Sequence, residues 1–261
     1  KKLEKQTSEI AVTMDKLSLP RGQMETDYQK MLRSLYITLQ QQINELENGQ
    51  VEQAEYFTMW VHQIKTPIAA LRLLLAEEED ERSQEMWEEL FSIEQYVEMA
   101  LQFSRLSAKS TDFVIGEVSL DKVVREAIHK YARLFVRKKI KLELTSIDTQ
   151  ILTDEKWLEF VIEQILSNAI KYTAGGTISV YLKEESEQET KELVIEDTGI
   201  GIAPEDLPRI FEKGYTGYNG HADKRSTGIG LYLCRKIMRK LSHEITIESE
   251  IGVGTKVHLE M

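Results

Sequence analysis

The sequence predicts an α+β chain in two parts: a long antiparallel helical hairpin that pairs with a second copy, then a sandwich of helices on a mixed sheet. Three observations carry this reading. Apolar residues recur at coiled-coil spacing, first as Leu32, Leu35, Leu39 and Leu46, with polar Gln42 at the remaining seam position. After a phase shift near Asn48-Gly49 the seam resumes as Phe57, Val61, Ile64, Ile68, Leu71 and Leu75, at alternating steps of four and three. Past Thr111 the texture changes to short β-like runs between helical stretches. Lastly, seven of the fourteen glycines fall between Gly199 and Gly230, a density that suggests a lid closing over a ligand.

Taken in order, residues 26–79 read as one helix. The acidic run Glu77-Glu78-Glu79-Asp80-Glu81 reads as a solvated turn, and 83–107 as a second helix with Met86, Leu90, Ile93, Val97 and Ala100 on one face. Two such helices cannot bury their stripes alone, whereas two hairpins paired as a four-helix bundle can. A helix over 120–138 and a strand over 140–144 follow. Asp154 is placed to cap a helix running to Tyr172. Runs 177–182 and 192–196 read as a β-hairpin, 228–241 as a helix, and 244–248 with 255–260 as a last strand pair. The expected division is a linker over 1–25, the hairpin over 26–111 and the sandwich over 112–261.

The net charge of −11 argues against a nucleic-acid partner, which calls for a basic face. It does not argue against a nucleotide, because backbone N–H groups and Mg²⁺ can hold phosphates. One cysteine, Cys234, leaves no disulfide framework and no cysteine metal cluster. The most apolar stretch, 68–76, is short and carries Arg72, far from the ~18 residues of a spanning helix. The chain opens on Lys1-Lys2 without Met, as a segment of a longer protein would, and 1–25 is expected to follow a membrane anchor lying outside it.

Four clusters carry chemistry. In Phe57-Thr58-Met59-Trp60-Val61-His62-Gln63-Ile64-Lys65-Thr66-Pro67, His62 sits one residue past a seam position, so a neutral imidazole can present a nitrogen nucleophile to solvent. Thr66 lies one turn on, where its hydroxyl could hold a water. Pro67 has no N–H for the Gln63 carbonyl, so a bend is expected there. In Glu163-Gln164-Ile165-Leu166-Ser167-Asn168-Ala169-Ile170-Lys171-Tyr172, the polar residues Gln164, Asn168, Lys171 and Tyr172 share a face. An Asn oxygen suits Mg²⁺, and Lys171 can meet a phosphate. Asp197-Thr198-Gly199-Ile200-Gly201 follows an apolar strand; its carboxylate can accept from an adenine amino group while the glycines let the base approach. Thr227-Gly228-Ile229-Gly230 opens a helix whose free N–H groups favour phosphate. Each alone also reads as a surface histidine, a polar helix end or a plain turn.

In combination and order they resemble the sensor histidine kinases of bacterial two-component systems. The resemblance runs from about Phe57 to the C-terminus. It implies a dimerisation and histidine-phosphotransfer hairpin followed by a Bergerat-type α/β sandwich that binds ATP. It makes His62 the phosphoacceptor, Asn168 the Mg²⁺ ligand and Asp197 the adenine reader. Phe211-Glu212-Lys213 matches the start of the family's lid motif, and Gly252-Val253-Gly254-Thr255 the turn before its final strand. Expected partners are a second copy of the chain and a response regulator whose Asp takes the phosphoryl group; phosphatase activity toward that regulator would use Thr66. The phrase Trp60–Pro67 looks most like the intramembrane-sensing, peptide-antibiotic-responsive subgroup, which implies a cytoplasmic region of a cell-membrane protein that works with a transporter.

Four departures stand out. Gln63 replaces the usual Glu or Asp beside the histidine, Gln164 the usual Asn, Ser226 a common Gly and Thr216 a common Arg. With that Arg missing, phosphate charge falls to Lys171 or Lys213. Three rival readings are an ATPase of the same superfamily that drives a conformational clamp, a degenerate kinase that only scaffolds a regulator, and a purely structural coiled coil, which explains residues 26–107 and nothing after them. The His62 segment argues against the first, and Asn168, Asp197, Gly228 and Gly230 against the second.

Overall fold

The computed structural model describes residues 20, 22–76, 80–107, 113–183, 191–217 and 227–261. Helix α1, Gln23–Ala76, has 54 residues and runs for about 80 Å, continuous through Asn48-Gly49 and Pro67. Helix α2, Glu81–Ser107, starts two residues before its expected position because the Asp80 carboxylate accepts from the Ser83 N–H at 2.8 Å and caps it. Residues 77–79, most of the expected acidic turn, lie outside the described residues, as do nearly all of 1–25.

The hairpin core is small: Val61 and Ile68 of α1 against Leu90, Val97 and Leu101 of α2. Lys65–Glu98 at 2.7 Å and Arg72–Glu94 at 2.8 Å set its register. Other seam residues stay exposed among the described residues, including Leu35, Leu39, Leu46 and Leu71, together with Met86 and Ile93 of α2. The expected α2 stripe is therefore only half buried. A second face of α2, carrying Trp87, Phe91 and Leu106, sinks into the core of the following unit.

That unit begins with a small sheet absent from the sequence reading: β1, Gly116–Ser119, antiparallel to β3, Gln150–Thr153. Each strand has four residues and its partner lies far along the chain, so neither shows a local alternation to read. Between them stand α3, Leu120–Arg137, and β2, Ile140–Leu144. Lys139 turns the chain from one to the other at φ 55°. Asp154 caps α4, Glu155–Tyr172, as expected: one oxygen accepts from the N–H groups of Lys156 and Trp157. Its other oxygen accepts from Val114 N–H at 2.7 Å and pins the start of the unit.

Strands β4, Gly176–Lys183, and β5, Glu192–Asp197, form the expected hairpin. Helix α5, Gly230–Lys240, leads to β6, Glu244–Glu250, and β7, Gly254–Glu260. Helix α5 starts two residues later than expected because Gly228 sits at φ 64°, outside helical space. The main sheet runs β2-β4-β5-β7-β6, parallel only between β2 and β4. Leu158, Ile162 and Leu166 of α4 and Ile237 of α5 pack with Ile178, Leu193, Ile195 and Leu259 of the strands in one core. This is the two-layer sandwich the sequence predicts. Cys234 lies inside it, where burial pushes the thiol up to about 12 and leaves no thiolate at neutral pH.

Candidate nucleotide site

A cavity of about 500 Å³ opens where β5, α4 and the start of α5 converge. This volume is in the range of small-molecule sites. Asn168, Lys171, Tyr172, Asp197, Gly201, Thr227, Gly228 and Gly230 all border it, as does Gln164. Gly199 and Lys213 do not. The Gly199 N–H donates to Asp197 Oδ1 at 2.8 Å, so Gly199 holds the carboxylate from behind. Lys213 Nζ lies over the Phe103 ring of α2, 4.7 Å from its centroid, and not toward the cavity. Gly201, at φ 70°, packs against the backbone of Glu250 and Ile251, where a Cβ would collide. Its missing side chain thus makes room for the β6–β7 turn, in addition to the room for a base expected of it.

Asp197 ends β5 between Ile178 of β4 and Thr255 of β7. Burial raises its carboxyl to about 6, outweighing the backbone N–H donors of Gly199 and Thr255. Its desolvation is therefore only partly offset by the protein. Asn168 is half-buried on the cavity wall, and its amide has no hydrogen-bond partner among the described residues. Gln164 is buried with its Oε1 against Gly230, close enough that a Cβ at 230 would strike it. Thr227 Oγ1 accepts from the Ile229 N–H and reaches Met99 Sδ of α2, each at 3.4 Å. Residues 218–226 of the expected lid, among them Gly220 and Ser226, lie outside the described residues.

His62, Gln63 and Thr66 stand apart from this cavity, exposed on α1. The Lys65–Glu98 and Arg72–Glu94 pairs put His62 level with residues 101–104 of α2. That is about one turn beyond Met99, the nearest cavity-lining residue of that helix. Thr66 Oγ1 donates to the His62 carbonyl at 3.2 Å, and the Gln63 side chain makes no hydrogen bond to His62.

The sequence reading missed one whole wall. Phe91, Gln95, Tyr96 and Met99 of α2 border the cavity, with Tyr131 of α3 beside them. The signal was present as a second stripe at steps of four, Trp87, Phe91, Gln95, Met99 and Phe103, alongside the hairpin-facing one.

The model of the histidine kinase-, DNA gyrase B- and HSP90-like ATPases matches residues 153–261. The sensor histidine kinase YxdK of Bacillus subtilis (strain 168) is 36% identical over 231 residues, which cover 88% of this chain and 71% of that protein. This chain belongs to the sensor histidine kinases. It thereby shares the family's activity, ATP-dependent phosphorylation of its own histidine and phosphotransfer in two-component signalling. The sensor protein BceS of the same organism is 35% identical over 198 residues, 75% of this kinase and 58% of BceS, so the chain spans little more than half of that relative. Among solved structures, full-length ShkA in complex with AMPPNP aligns with 80% of this kinase and 45% of its own chain, with a TM-score of 0.58 and 21% identity. That likeness bears on the fold alone.

Proposed function

We propose that the cavity holds Mg·ATP, that His62 is the phosphoacceptor, and that a response-regulator Asp then takes the phosphoryl group. The observation that carries this is the convergence of Asn168, Asp197, Thr227 and Gly228 on one cavity beside a hairpin bearing an exposed histidine. The residues present fit the ligand. Asp197 has a desolvated carboxyl facing the cavity, suited to an adenine amino donor. The Asn168 oxygen is open to a hard cation that takes few protein ligands. The Gly228 segment offers N–H groups at a helix start for phosphate. Mg²⁺ at Asn168 would neutralise phosphate charge as the leaving group departs.

In the transfer, the remote ring nitrogen of His62 attacks the γ-phosphorus. The bond to the β-phosphate oxygen breaks, and ADP leaves with its electron pair. Gln63 is an amide and not a base at neutral pH, so it can orient the imidazole while the displaced proton goes to water or phosphate. Incubation with γ-labelled ATP is expected to give an acid-labile, base-stable label that His62→Ala abolishes. An undiminished label in that variant would move the phosphoacceptor elsewhere.

The Asp197 assignment carries a pH signature. Its folded value lies above that of a free Asp, so the carboxylate forms only as pH rises through about 6. Adenosine affinity is expected to climb through that pH and to fall below it, as the acceptor is protonated. The same ionisation costs stability between about pH 4 and the folded value, because there the unfolded chain binds fewer protons. Asp197→Asn should flatten the affinity profile in calorimetric titration. A flat wild-type profile would count against the role.

The exposed apolar residues of α1 fit a homodimer, a four-helix bundle made from two hairpins. Thr66 is placed to orient a water if the hairpin also dephosphorylates the regulator. Among the described residues no helix is long and apolar enough to cross a membrane. Likeness to sensor kinase relatives supports a cytoplasmic region that works beneath a membrane segment, and the Trp60–Pro67 phrase supports a transporter as its partner.

A further inference from the structure

We propose that Gln95 of the hairpin donates a hydrogen bond to a phosphoryl oxygen of the bound nucleotide, so that the hairpin completes the nucleotide site. The inference rests on the cavity being the ATP site.

Gln95 is only 9% exposed, unusual for a residue with four hydrogen-bonding valences to satisfy. Its Oε1 accepts from the buried Tyr131 hydroxyl at 2.9 Å. Tyr131 lines the same cavity, as do Ser167 and Asn168 of α4. The bond from Tyr131 of α3 to Gln95 of α2 sets the amide's orientation, because the oxygen is committed to Tyr131 and the NH₂ is turned the other way. Among the described residues that NH₂ has no protein acceptor, and its residue borders the cavity together with Gln164, Ser167 and Asn168. A fixed donor with no acceptor among the described residues, on the wall of a cavity that Asn168 also lines, suits a phosphoryl oxygen, whereas the adenine end is assigned to Asp197. Gln95 also lies about 10 Å along α2 from the level of His62, two helical turns away. The contact therefore holds the nucleotide before transfer, and transfer requires the sandwich to shift along the hairpin.

The test is calorimetric titration of the whole chain with a nonhydrolysable Mg·ATP analogue and, separately, with adenosine. Gln95→Ala is expected to weaken the analogue about tenfold, the cost of one charge-assisted hydrogen bond, and to leave adenosine unchanged. Gln95→Glu keeps an oxygen for Tyr131 but sets a carboxylate against phosphate, so it should weaken the analogue further. Tyr131→Phe removes the bond to Gln95 while leaving the amide in the cavity, and should cost clearly less than Gln95→Ala. Wild-type analogue affinity in Gln95→Glu overturns the proposal. So does an equal loss of both ligands in Gln95→Ala, or a Tyr131→Phe loss as large as that of Gln95→Ala, since either assigns Gln95 to docking alone. If the wild type binds neither ligand, the cavity assignment itself falls.

Discussion

Asn168→Ala is expected to reduce autophosphorylation of His62 by about a thousandfold or more, the scale on which preorganised charge stabilisation is lost when its anchor is removed. The fold should survive. Asn168 is half-buried at the cavity edge and its amide holds no hydrogen bond to the rest of the described protein, so truncation leaves no orphaned partner and opens no closed void. The neighbours that support α4 are elsewhere: Leu166 and Ile170 in the core, and the Asp154 cap at the other end. A rate of label incorporation measured beside a thermal melt separates the two effects. Wild-type labelling by the variant would remove Asn168 from the phosphate site. Parallel losses of label and melting temperature would make its role structural.

The other large effect concerns association. Leu71 and Leu74 are 50% and 66% exposed on α1, although Val61, Ile64, Ile68 and Leu75 of the same stretch pack against α2. Replacing both with Asp leaves the hairpin core untouched. In a dimer it removes four buried leucines, each worth at least ~1.5 kcal/mol, so dissociation should strengthen by about four orders of magnitude. Light scattering should report half the wild-type mass. Ile64→Asp is the less clean probe, because Ile64 is already packed within its own hairpin. A wild type that is monomeric at micromolar concentration would dismiss the bundle.

Helices and strands whose stabilising partners are local were readable in the sequence. The Asp154 cap, the α1 heptads and the β4–β5 hairpin each declare themselves within a few residues. What depends on distant pieces meeting was not. The β1–β3 pair joins Gly116 to Thr153, and neither strand carries a pattern of its own. The motif residues of the cavity were legible because residue type and spacing encode the chemistry, as at Asn168 and Asp197. Lys213 misled: a cation next to a lid motif suggests phosphate, but a cation can equally settle on an aromatic face, here Phe103. Gln95 was invisible because its partner Tyr131 is brought to it only on folding.

Helix α2 belongs to two cores at once. Leu90, Val97 and Leu101 answer to α1, while Trp87, Phe91 and Leu106 answer to the sandwich. Trp87 stacks on Phe91, Phe91 meets Tyr131 edge-on at 5.3 Å, and the Arg133 guanidinium covers Trp87. A rotation of α2 that improves one set of contacts must disturb the other, since close-packed surfaces exchange discrete arrangements and do not deform smoothly. Whatever turns α1 therefore alters the wall of the cavity, and whatever fills the cavity resists or assists that turn by the same free energy. The nucleotide is in this sense an input to the sensor as much as its fuel.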